Sequence, residues 1–452
     1  MIDLTSPEIS IVMPLYNAER YLKEALESIK MQTFENYELI CVNDFSSDNT
    51  QKVIDLYAQK DERIKVLKNT ERRGAAYSRN KGLDMALGKY IIFLDGDDLF
   101  DESMLEQAFE AIESKRIDIV CFDYVSFTSM PTNAQKRTCH SKRFVRQYCD
   151  QSFQVSDMKI CDFTDLNTAP WNKLYRTEFL KENKLEFQDL PCCNDVYFVL
   201  LSFFLTENMI FLNSGKALVC FRRHDTVTKI GNNQNPICLF YALEKVQKEL
   251  VNRKLFDRYY EHYYAQCFWM LWSTYKTTKD NRQKTEFYHF IRKKGIKLLW
   301  RGKENFFDQI SPYMQSQWNN WFNLESGEMW GAPDLSYRFK LSCFEKEITT
   351  LLNSIQCRRK KSALWGMGVG GIALKKYCRE KKISIDLLFD ISSEKEGTLI
   401  DGVQVQDPRK GLDGVEVIIV TVKGICSDVR EMAAKSGNVL PEIIDFWESV
   451  DT

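Results

Sequence analysis

The sequence lacks several features that would assign a chain to a common class. Histidine is rare, with four in 452 residues, and the 14 cysteines include no C-x-x-C pair, so a structural zinc site is not expected. Glycine and proline number only 20 and 10, which argues against a fibrous or disordered chain. The 62 basic and 63 acidic residues nearly cancel, whereas a dedicated nucleic-acid binder usually carries a basic excess.

Long hydrophobic runs are missing as well. The longest apolar stretch, residues 197–205, contains Ser202 and is about half of a membrane span. The first residues do not have the pattern of a secretory signal, and scattered cysteines in a long chain do not indicate a disulfide framework. We therefore expect a cytoplasmic protein with reduced thiols, and the length predicts about three domains.

The first third of the chain alternates short β-branched or aromatic runs with segments of helical periodicity. The strand candidates are residues 9–13, 38–42, 64–67, 90–94 and 117–122. This alternation predicts a largely parallel sheet with helices on both faces. Ligands of such sheets bind outside the carboxyl ends of the strands, so we expect functional residues there.

An acidic turn follows the fourth strand candidate. Asp95, Asp97 and Asp98 fall within four residues, and such carboxylates repel one another unless a cation lies among them. Oxygen ligands suit Mg²⁺ or Mn²⁺, which commonly keep waters and phosphate oxygens in their coordination sphere. Taken alone, the turn is equally consistent with a solvated cap of the next helix.

Four motifs in order give this part of the chain a resemblance to the family 2 glycosyltransferases. They are IVMPLYN at 11–17, VNDFSSDNT at 42–50, GAAYSRN at 74–80 and LDGDD at 94–98. The resemblance extends over about residues 8–230. It implies an inverting enzyme with the α/β fold called GT-A, a D-x-D metal motif and a nucleotide-sugar donor.

The resemblance also implies roles for individual residues. It places the donor beside Pro14, Tyr16 and Glu19, the nucleobase beside Asp44, and the diphosphate beside Arg79 and Asn80. Asp95 and Asp97 match the D-x-D motif, with Asp97 the more direct ligand of Mn²⁺ or Mg²⁺. One departure is Arg72-Arg73-Gly74, where relatives often have Asn-Gln-Gly, and it adds two cations near the expected diphosphate.

The second half of the resembling region implies a catalytic base. After the motif WNKLYR at 171–176, Asp195 matches the family's base, although Asn194 replaces the usual glutamate before it. Inversion needs such a carboxylate within hydrogen-bond reach of the attacking acceptor hydroxyl, and the alternative is that Asp195 caps the following helix. Residues 219–226 resemble the segment that closes over the donor diphosphate, which implies donor contacts from Arg222 and Arg223 and a donor or metal contact from His224. A solvated basic loop is the competing interpretation.

The middle of the chain is expected to be helical, aromatic and basic. Residues 253–304 hold 13 Lys and Arg against 5 Asp and Glu, a local net charge of +8. This segment could attract anionic lipid headgroups, a lipid-linked acceptor or an acidic glycan at the cytoplasmic membrane face. It is also consistent with a helical connector that has an aromatic core and a solvated basic face.

A new α/β pattern begins near Lys361. A strand candidate is followed by Gly366, Gly368 and Gly371 in G-x-G-x-x-G spacing, then by a helix and a second strand that ends at Asp390. Such glycines let the backbone approach a pyrophosphate at a helix N-terminus. The segment resembles small Rossmann-like domains of sugar-modifying and transferase proteins. Nucleotide binding and a structural or assembly role both stay open.

Together these features predict an α/β protein with three parts: a GT-A catalytic domain at 1–235, a helical connector at 236–358 and a Rossmann-like domain at 359–452. The predicted activity is metal-dependent, inverting transfer of a sugar from a nucleotide donor, expected to be a UDP-sugar, to a polysaccharide, lipid-linked or glycoconjugate acceptor. Two alternatives are a catalytically silent sugar-binding protein and an oxidoreductase centred on the C-terminal glycine loop. The oligomeric state, including a homo-oligomer, is left open.

Overall fold

The chain divides into two compact units, one made of residues 1–140 and 144–302 and the other of 141–143 and 303–452. The computed structural model describes residues 6–115, 117–128, 147–164, 166–222, 235–291, 293, 345–357, 360–392, 395–410, 412, 414–422, 426–435 and 441–446. Among these residues, no helix is both long enough and apolar enough to cross a membrane.

Two sheets form the framework of the first unit. Their strands are β1 (Ile9–Leu15), β2 (Tyr37–Asn43), β3 (Ile64–Lys68), β4 (Tyr90–Phe93), β5 (Leu99–Phe100), β6 (Ile119–Phe122), β7 (Tyr124–Phe127), β8 (Lys173–Arg176), β9 (Met209–Leu212) and β10 (Val219–Arg222). The larger sheet has the order β3-β2-β1-β4-β8-β6-β9, and the smaller one has the order β5-β10-β7. The order leaves β1 in the interior of the larger sheet.

The five predicted strands are confirmed as β1, β2, β3, β4 and β6. Strands β3, β2, β1 and β4 are parallel, and β2 is buried along its whole length, as expected for a strand with helices on both faces. Strand β8 was not predicted. It runs antiparallel between β4 and β6. Its four residues KLYR contain no long apolar run, so the sequence does not predict an interior strand there.

Helices alternate with these strands along the chain. They are α1 (Glu19–Lys30), α2 (Thr50–Ala58), α3 (Ala75–Met85), α4 (Met104–Lys115), α5 (Ile160–Thr164), α6 (Thr177–Glu182) and α7 (Val196–Leu205). Helix α1 buries Leu22, Ala25, Leu26 and Ile29, which lie on one face of a helix at this spacing. Leu22, Leu26 and Ile29 pack into the same core as apolar residues of β1, β2 and β4. The carboxyl ends of these strands are thereby held rigidly at one edge.

Three further helices belong to the first unit: α8 (Ile237–Asn252), α9 (Phe256–Thr277) and α10 (Asn281–Phe290). Helix α8 packs against α7, and α9 packs against α5. The aromatic residues Tyr259, Tyr263, Tyr264, Phe268 and Trp272 are buried, so this cluster is core rather than exposed surface. The predicted domain boundary at residue 235 stays a prediction, although these helices lie in the same compact unit as the large sheet.

The second unit contains a six-stranded sheet. Its elements are α11 (Glu345–Cys357), β11 (Ser362–Trp365), α12 (Val369–Glu380), β12 (Leu387–Phe389), β13 (Leu399–Ile400), β14 (Val403–Gln406), β15 (Val417–Val420), α13 (Cys426–Lys435) and β16 (Glu442–Asp445). The order is β13-β14-β12-β11-β15-β16, and all pairs are parallel except β13 with β14. The predicted strand, glycine loop, helix and strand are present, while the Rossmann-like classification stays a prediction.

Candidate active site

The loops after β1 and β2 are joined by hydrogen bonds. The Asn17 amide donates to Ser46 Oγ at 3.0 Å, and the Ala18 amide donates to Thr50 Oγ1 at 2.7 Å. Glu19 Oε2 accepts from the Asn49 amide at 2.6 Å. Glu19, predicted to border the donor, therefore also fixes the relative position of these two loops.

The remaining residues of the first motif present an aromatic surface beside these loops. Pro14 lies in β1 opposite Val42 of β2, beyond the point where β1 pairs with β4, so its missing N–H interrupts no ladder there. Tyr16 is 38% exposed, and the Arg72 guanidinium carbon lies 4.1 Å from the centre of its ring. This is a cation–π contact, and it gives Arg72, one of the two departures from the family pattern, a defined position.

Asp44 is buried and accepts three hydrogen bonds. Its Oδ1 accepts from Asn69 Nδ2 at 2.7 Å and from the Arg73 amide at 2.8 Å, and its Oδ2 accepts from the Gly74 amide at 2.7 Å. Bonds from N–H groups to a carboxylate are among the stronger ones in proteins. Asp44 therefore holds the loop that leads into α3, in addition to its predicted role at the nucleobase, which stays a prediction.

The acidic turn after β4 combines two partly exposed carboxylates with a buried one. The side chain of Asp95 is 30% exposed, and Asp97 is also partly exposed. Asp98 is fully buried, and its Oδ2 has no hydrogen-bond partner among the described residues. Burial, reinforced by the charges of Asp97 and Asp95, raises the pKa of Asp98 well above its ordinary value.

Arg222 braces this turn from β10. Its amide donates to Asp98 Oδ1 at 2.8 Å, and its Nε donates to the carbonyl oxygen of Asp97 at 2.8 Å. Its Nη2 pairs with Glu24 Oε2 at 2.5 Å, while the guanidinium lies over the rings of Tyr21 and Phe127. These contacts are structural, and the predicted donor contact of Arg222 stays a prediction. Arg223 and His224, predicted to bind donor or metal, lie outside the described residues.

Arg79 of α3 joins the acidic turn to the turn that carries the predicted base. Its Nη2 pairs with Asp95 Oδ1 at 2.8 Å, and its Nη1 donates to Asn194 Oδ1 at 3.2 Å. Its Nε is buried without a hydrogen-bond partner among the described residues. The structure thus brings together the predicted diphosphate residue Arg79, the D-x-D residue Asp95 and the Asn194–Asp195 turn.

Asp195 immediately precedes α7 but makes no side-chain cap of that helix. It keeps partial solvent exposure even though protein atoms surround it. Burial raises its pKa, and the positive charges of Arg79 and Lys173 oppose that shift while Asp95 adds to it. A carboxylate with a raised pKa that still reaches solvent has the properties of a general base.

Two residues support the turn of the predicted base: Asn80, which was predicted to lie at the diphosphate, and Lys173, for which the sequence predicted no role. Asn80 donates to the Phe187 carbonyl at 2.9 Å and accepts from the Phe187 amide at 2.7 Å, which fixes the loop that leads to Asp195. Lys173 of β8 is buried, and its Nζ donates to the Asn167 and Ala169 carbonyls and to Asn172 Oδ1 at 2.6–2.8 Å. The motif WNKLYR was the available signal for Lys173, since a lysine inside a buried strand needs partners.

The acidic turn has the chemistry that a hard divalent cation requires. Asp95 and Asp97 offer oxygen ligands from one turn, and the unpaired, buried Oδ2 of Asp98 marks an uncompensated acceptor beside them. Two protein carboxylates suit Mg²⁺ or Mn²⁺, which complete their coordination with water and phosphate oxygens. Over the described part of the chain, no group of three or more His, Cys, Asp or Glu forms a self-sufficient metal site.

The predicted nucleotide loop of the second unit is held by its own protein contacts. Gly366 has a φ of 96°, and its carbonyl accepts from Thr421 Oγ1 at 2.7 Å. Asp390 accepts from the Met367 and Ser392 amides at 2.7 and 2.9 Å and pairs with Lys395 at 3.0 Å. Gly368 is the N-cap of α12, and Gly371 lies in its first turn. Nucleotide binding by these residues stays a prediction.

Residues 10–184 match the family described as glycosyl transferase family 2. This part of the chain is therefore a family 2 glycosyltransferase domain, the domain of a class of enzymes that transfer sugars. It contains the acidic turn, Asp44 and Arg79, whereas Asp195 follows it by eleven residues.

Relatives of this class include bacterial glycosyltransferases. The chain is 28% identical over 226 residues to the glycosyltransferase GlyG of Streptococcus pneumoniae serotype 4, a match that covers 48% of this chain and 70% of GlyG. It is 39% identical over 104 residues to the putative teichuronic acid biosynthesis glycosyltransferase TuaG of Bacillus subtilis, which covers 23% of this chain and 41% of TuaG. Both relatives extend beyond the matched segment. The crystal structure of S. aureus TarS 1–349 in complex with UDP-GlcNAc matches with a TM-score of 0.48 and 17% identity, over 88% of this chain and 98% of that one.

Proposed function

We propose that this protein is an inverting glycosyltransferase that moves a sugar from a uridine diphosphate donor to a hydroxyl of a cell-surface polysaccharide or glycoconjugate acceptor. The observation that carries the proposal is the Arg79 junction. This side chain contacts Asp95 at 2.8 Å and Asn194 at 3.2 Å, so the acidic turn and the candidate base lie within one cluster. The name of TuaG supports the acceptor class, because cell-wall glycopolymers are built by such transfers.

The residues divide the chemistry between them. Asp195 takes the proton of the acceptor hydroxyl as that oxygen attacks the anomeric carbon opposite the leaving nucleoside diphosphate. Arg79 places a fixed positive charge between the donor side and the base. Asp95 and Asp97 would hold Mn²⁺ or Mg²⁺, which when bound neutralises charge on the diphosphate. A single base suffices, so the paired carboxylates of glycoside hydrolases are not required.

The decisive experiment compares Asp195→Asn with Asp189→Asn. The second carboxylate is exposed and lies in the same loop, which makes it a matched control. With a panel of nucleotide sugars and Mn²⁺, we expect Asp195→Asn to lower kcat by about 10²–10⁴-fold while UDP affinity changes little, and Asp189→Asn to leave both unchanged. A folded Asp195→Asn protein with near-normal turnover would rule out the base assignment, and turnover with GDP-sugars alone would rule out the uridine donor.

A further inference from the structure

Three cysteine thiols meet beside the predicted catalytic base. Cys192 and Cys193 directly precede Asn194 and Asp195, and Cys238 lies in the first turn of α8. The Cys192 Sγ lies 3.3 Å from the Asn235 carbonyl oxygen, and the same oxygen accepts from the Cys238 amide at 3.0 Å, so Cys192 and Cys238 meet at one carbonyl group.

The environment of Cys192 differs from that of Cys193 and Cys238, whose pKa values are raised above the ordinary thiol value, and from that of other cysteines in the described core. Hydrogen bonds from Cys193 and then Cys238 lower the pKa of Cys192 below the ordinary thiol value, against the effect of burial. Burial instead raises the pKa of Cys41 and Cys378 to about 12. Since the thiolate is the reactive form, Cys192 is the nucleophile of its cluster, whereas Cys41 and Cys378 are inert.

The exposure of the thiols and the geometry of the chain favour a disulfide between Cys192 and Cys238. Cys192 and Cys238 are buried, but Cys193 is partly exposed, so a water-sized oxidant can reach the cluster along its side. A disulfide between the adjacent Cys192 and Cys193 closes a small ring through one peptide bond and strains its planarity. A bond between Cys192 and Cys238 has no such constraint.

We propose that Cys192 and Cys238 form a reversible disulfide when the protein meets a small peroxide, and that this bond switches the predicted active site. The Cys192 thiolate attacks a peroxide oxygen, so an S–O bond forms, the O–O bond breaks and the departing hydroxide takes a proton. The Cys238 sulfur then attacks Cys192, an S–S bond forms, the S–O bond breaks and water leaves. Two thiols are oxidised, and one peroxide is reduced to two waters.

The consequence for catalysis follows from the neighbouring contacts and rests on the proposed function. The bond ties the 192–195 turn to α8 and shifts the main chain next to Asn194, whose Oδ1 accepts from Arg79. A displacement of about 1 Å at a catalytic group lowers turnover by as much as 10²-fold. Oxidation therefore moves Asp195 out of its working position, and reduction restores it.

The chemical part is tested by mass spectrometry on the full chain. Wild type, Cys192→Ser, Cys193→Ser, Cys238→Ser and Cys378→Ser are treated with hydrogen peroxide, alkylated and digested. We expect a linked peptide pair spanning 192 and 238 in wild type, Cys193→Ser and Cys378→Ser, its loss in the other two variants, and its reversal by dithiothreitol. Loss of the link in Cys193→Ser with retention in Cys192→Ser, or oxidation without any link, would overturn the pairing.

The regulatory part has a separate readout. Donor turnover of wild type and Cys378→Ser should fall at least about 10-fold after peroxide and recover with dithiothreitol, whereas Cys238→Ser should stay active throughout. A mapped disulfide with unchanged turnover would overturn the switch. Failure of the proposed function is distinguishable, because the reduced protein would then turn over no donor while the mapped disulfide still formed.

Discussion

Arg79 joins the acidic turn to the turn that carries the predicted base, because it contacts both Asp95 and Asn194. The family resemblance implies a glutamate in place of Asn194, before the predicted base, and such a glutamate would share the positive charge of this arginine. Here Asn194 supplies a neutral oxygen at 3.2 Å, so Asp95 at 2.8 Å is the ion-pair partner of Arg79. Burial raises the pKa of Asp195, and the charge of Arg79 opposes that shift.

Lys173 should be a stability residue of the site. Lys173→Met leaves three acceptors without their donor, one of them the buried Asn172 Oδ1, and we expect a loss of about 3 kcal/mol in the free energy of unfolding. The exposed neighbour variant Lys181→Met should change it by less than about 0.5 kcal/mol. Chemical denaturation of both variants measures this, and equal stabilities would contradict the assignment.

Wild type and Lys173→Met should also differ in how the free energy of unfolding depends on pH. Burial lowers the pKa of Lys173 in the folded chain to about 8, whereas the unfolded chain keeps the ordinary value near 10.5. Between pH 8 and pH 10.5 the unfolded chain therefore binds more protons than the folded one. The Lys173 contribution to stability therefore rises with pH across this window. The gap between wild type and Lys173→Met should widen from pH 8 to pH 10, and a constant gap would show that the lysine keeps its ordinary pKa when folded.

Asp97 should decide metal binding. With UDP present, Mn²⁺ should raise the thermal midpoint of wild type by several degrees, since a ligand that binds only the folded state stabilises it. Asp97→Asn should lose most of this gain, whereas Asp84→Asn, an exposed change on α3, should keep it. An undiminished Mn²⁺ shift in Asp97→Asn would remove this residue from the metal site.

At the scale of elements, the loop between β3 and α3 depends on one carboxylate and one glycine. Asp44 accepts from the amides of Arg73 and Gly74, and Gly74 has φ 89° and ψ 167°. This region of backbone space is open essentially to glycine alone. The loop therefore has a fixed shape where Arg72 and Arg73 project towards Tyr16 and Tyr77.

Gly74→Ala tests this element without a steric clash, because a Cβ atom there meets nothing within 4 Å. We expect a loss of about 1–3 kcal/mol in the free energy of unfolding from backbone strain and at least a tenfold weaker affinity for UDP. Gly215→Ala is the matched control, with φ 68° and equally open space, and it should lose stability but keep nucleotide affinity. If calorimetry gives both variants the same UDP affinity, the loop does not shape the nucleotide site.

The sequence predicted elements whose signal is local. Strands β1, β2 and β4 consist mainly of apolar residues, and the acidic turn follows β4 directly, so periodicity and motif order were sufficient. Strand β8 carries no such run, and its buried Lys173 is stabilised by hydrogen bonds to oxygen atoms that only the folded chain brings together. The Arg79–Asn194 bond joins residues 115 positions apart, and the bracing contacts of Arg222 with Asp97 and Glu24 are equally remote. No spacing rule reports such pairs.

At the scale of the whole molecule, the described candidate active-site residues all lie in the first unit. The second unit has its own core around Ala363, Trp365, Phe389, Ile418 and Val420. Its glycine loop is closed by contacts to Asp390 and Thr421. A defect in that loop should therefore act on the second unit's stability and leave the chemistry of the first unit intact.

Gly371→Ala should disturb the glycine loop of the second unit. A Cβ atom at this position lies 2.1 Å from the Gly366 carbonyl oxygen and 3.0 Å from Thr421 Oγ1, so the loop has to shift, at a cost of about 1–3 kcal/mol. Gly368→Ala is the matched control in the same loop, because a Cβ atom there meets nothing within 4 Å. Hydrogen exchange should increase in peptides from 362–392 of Gly371→Ala and stay near wild type in Gly368→Ala.

Donor turnover should be the same in both variants and wild type, since Asp195 and Asp95 belong to the other unit. Turnover that falls in parallel with the exchange would instead place the glycine loop in the catalytic cycle and favour a ligand-binding role for the second unit.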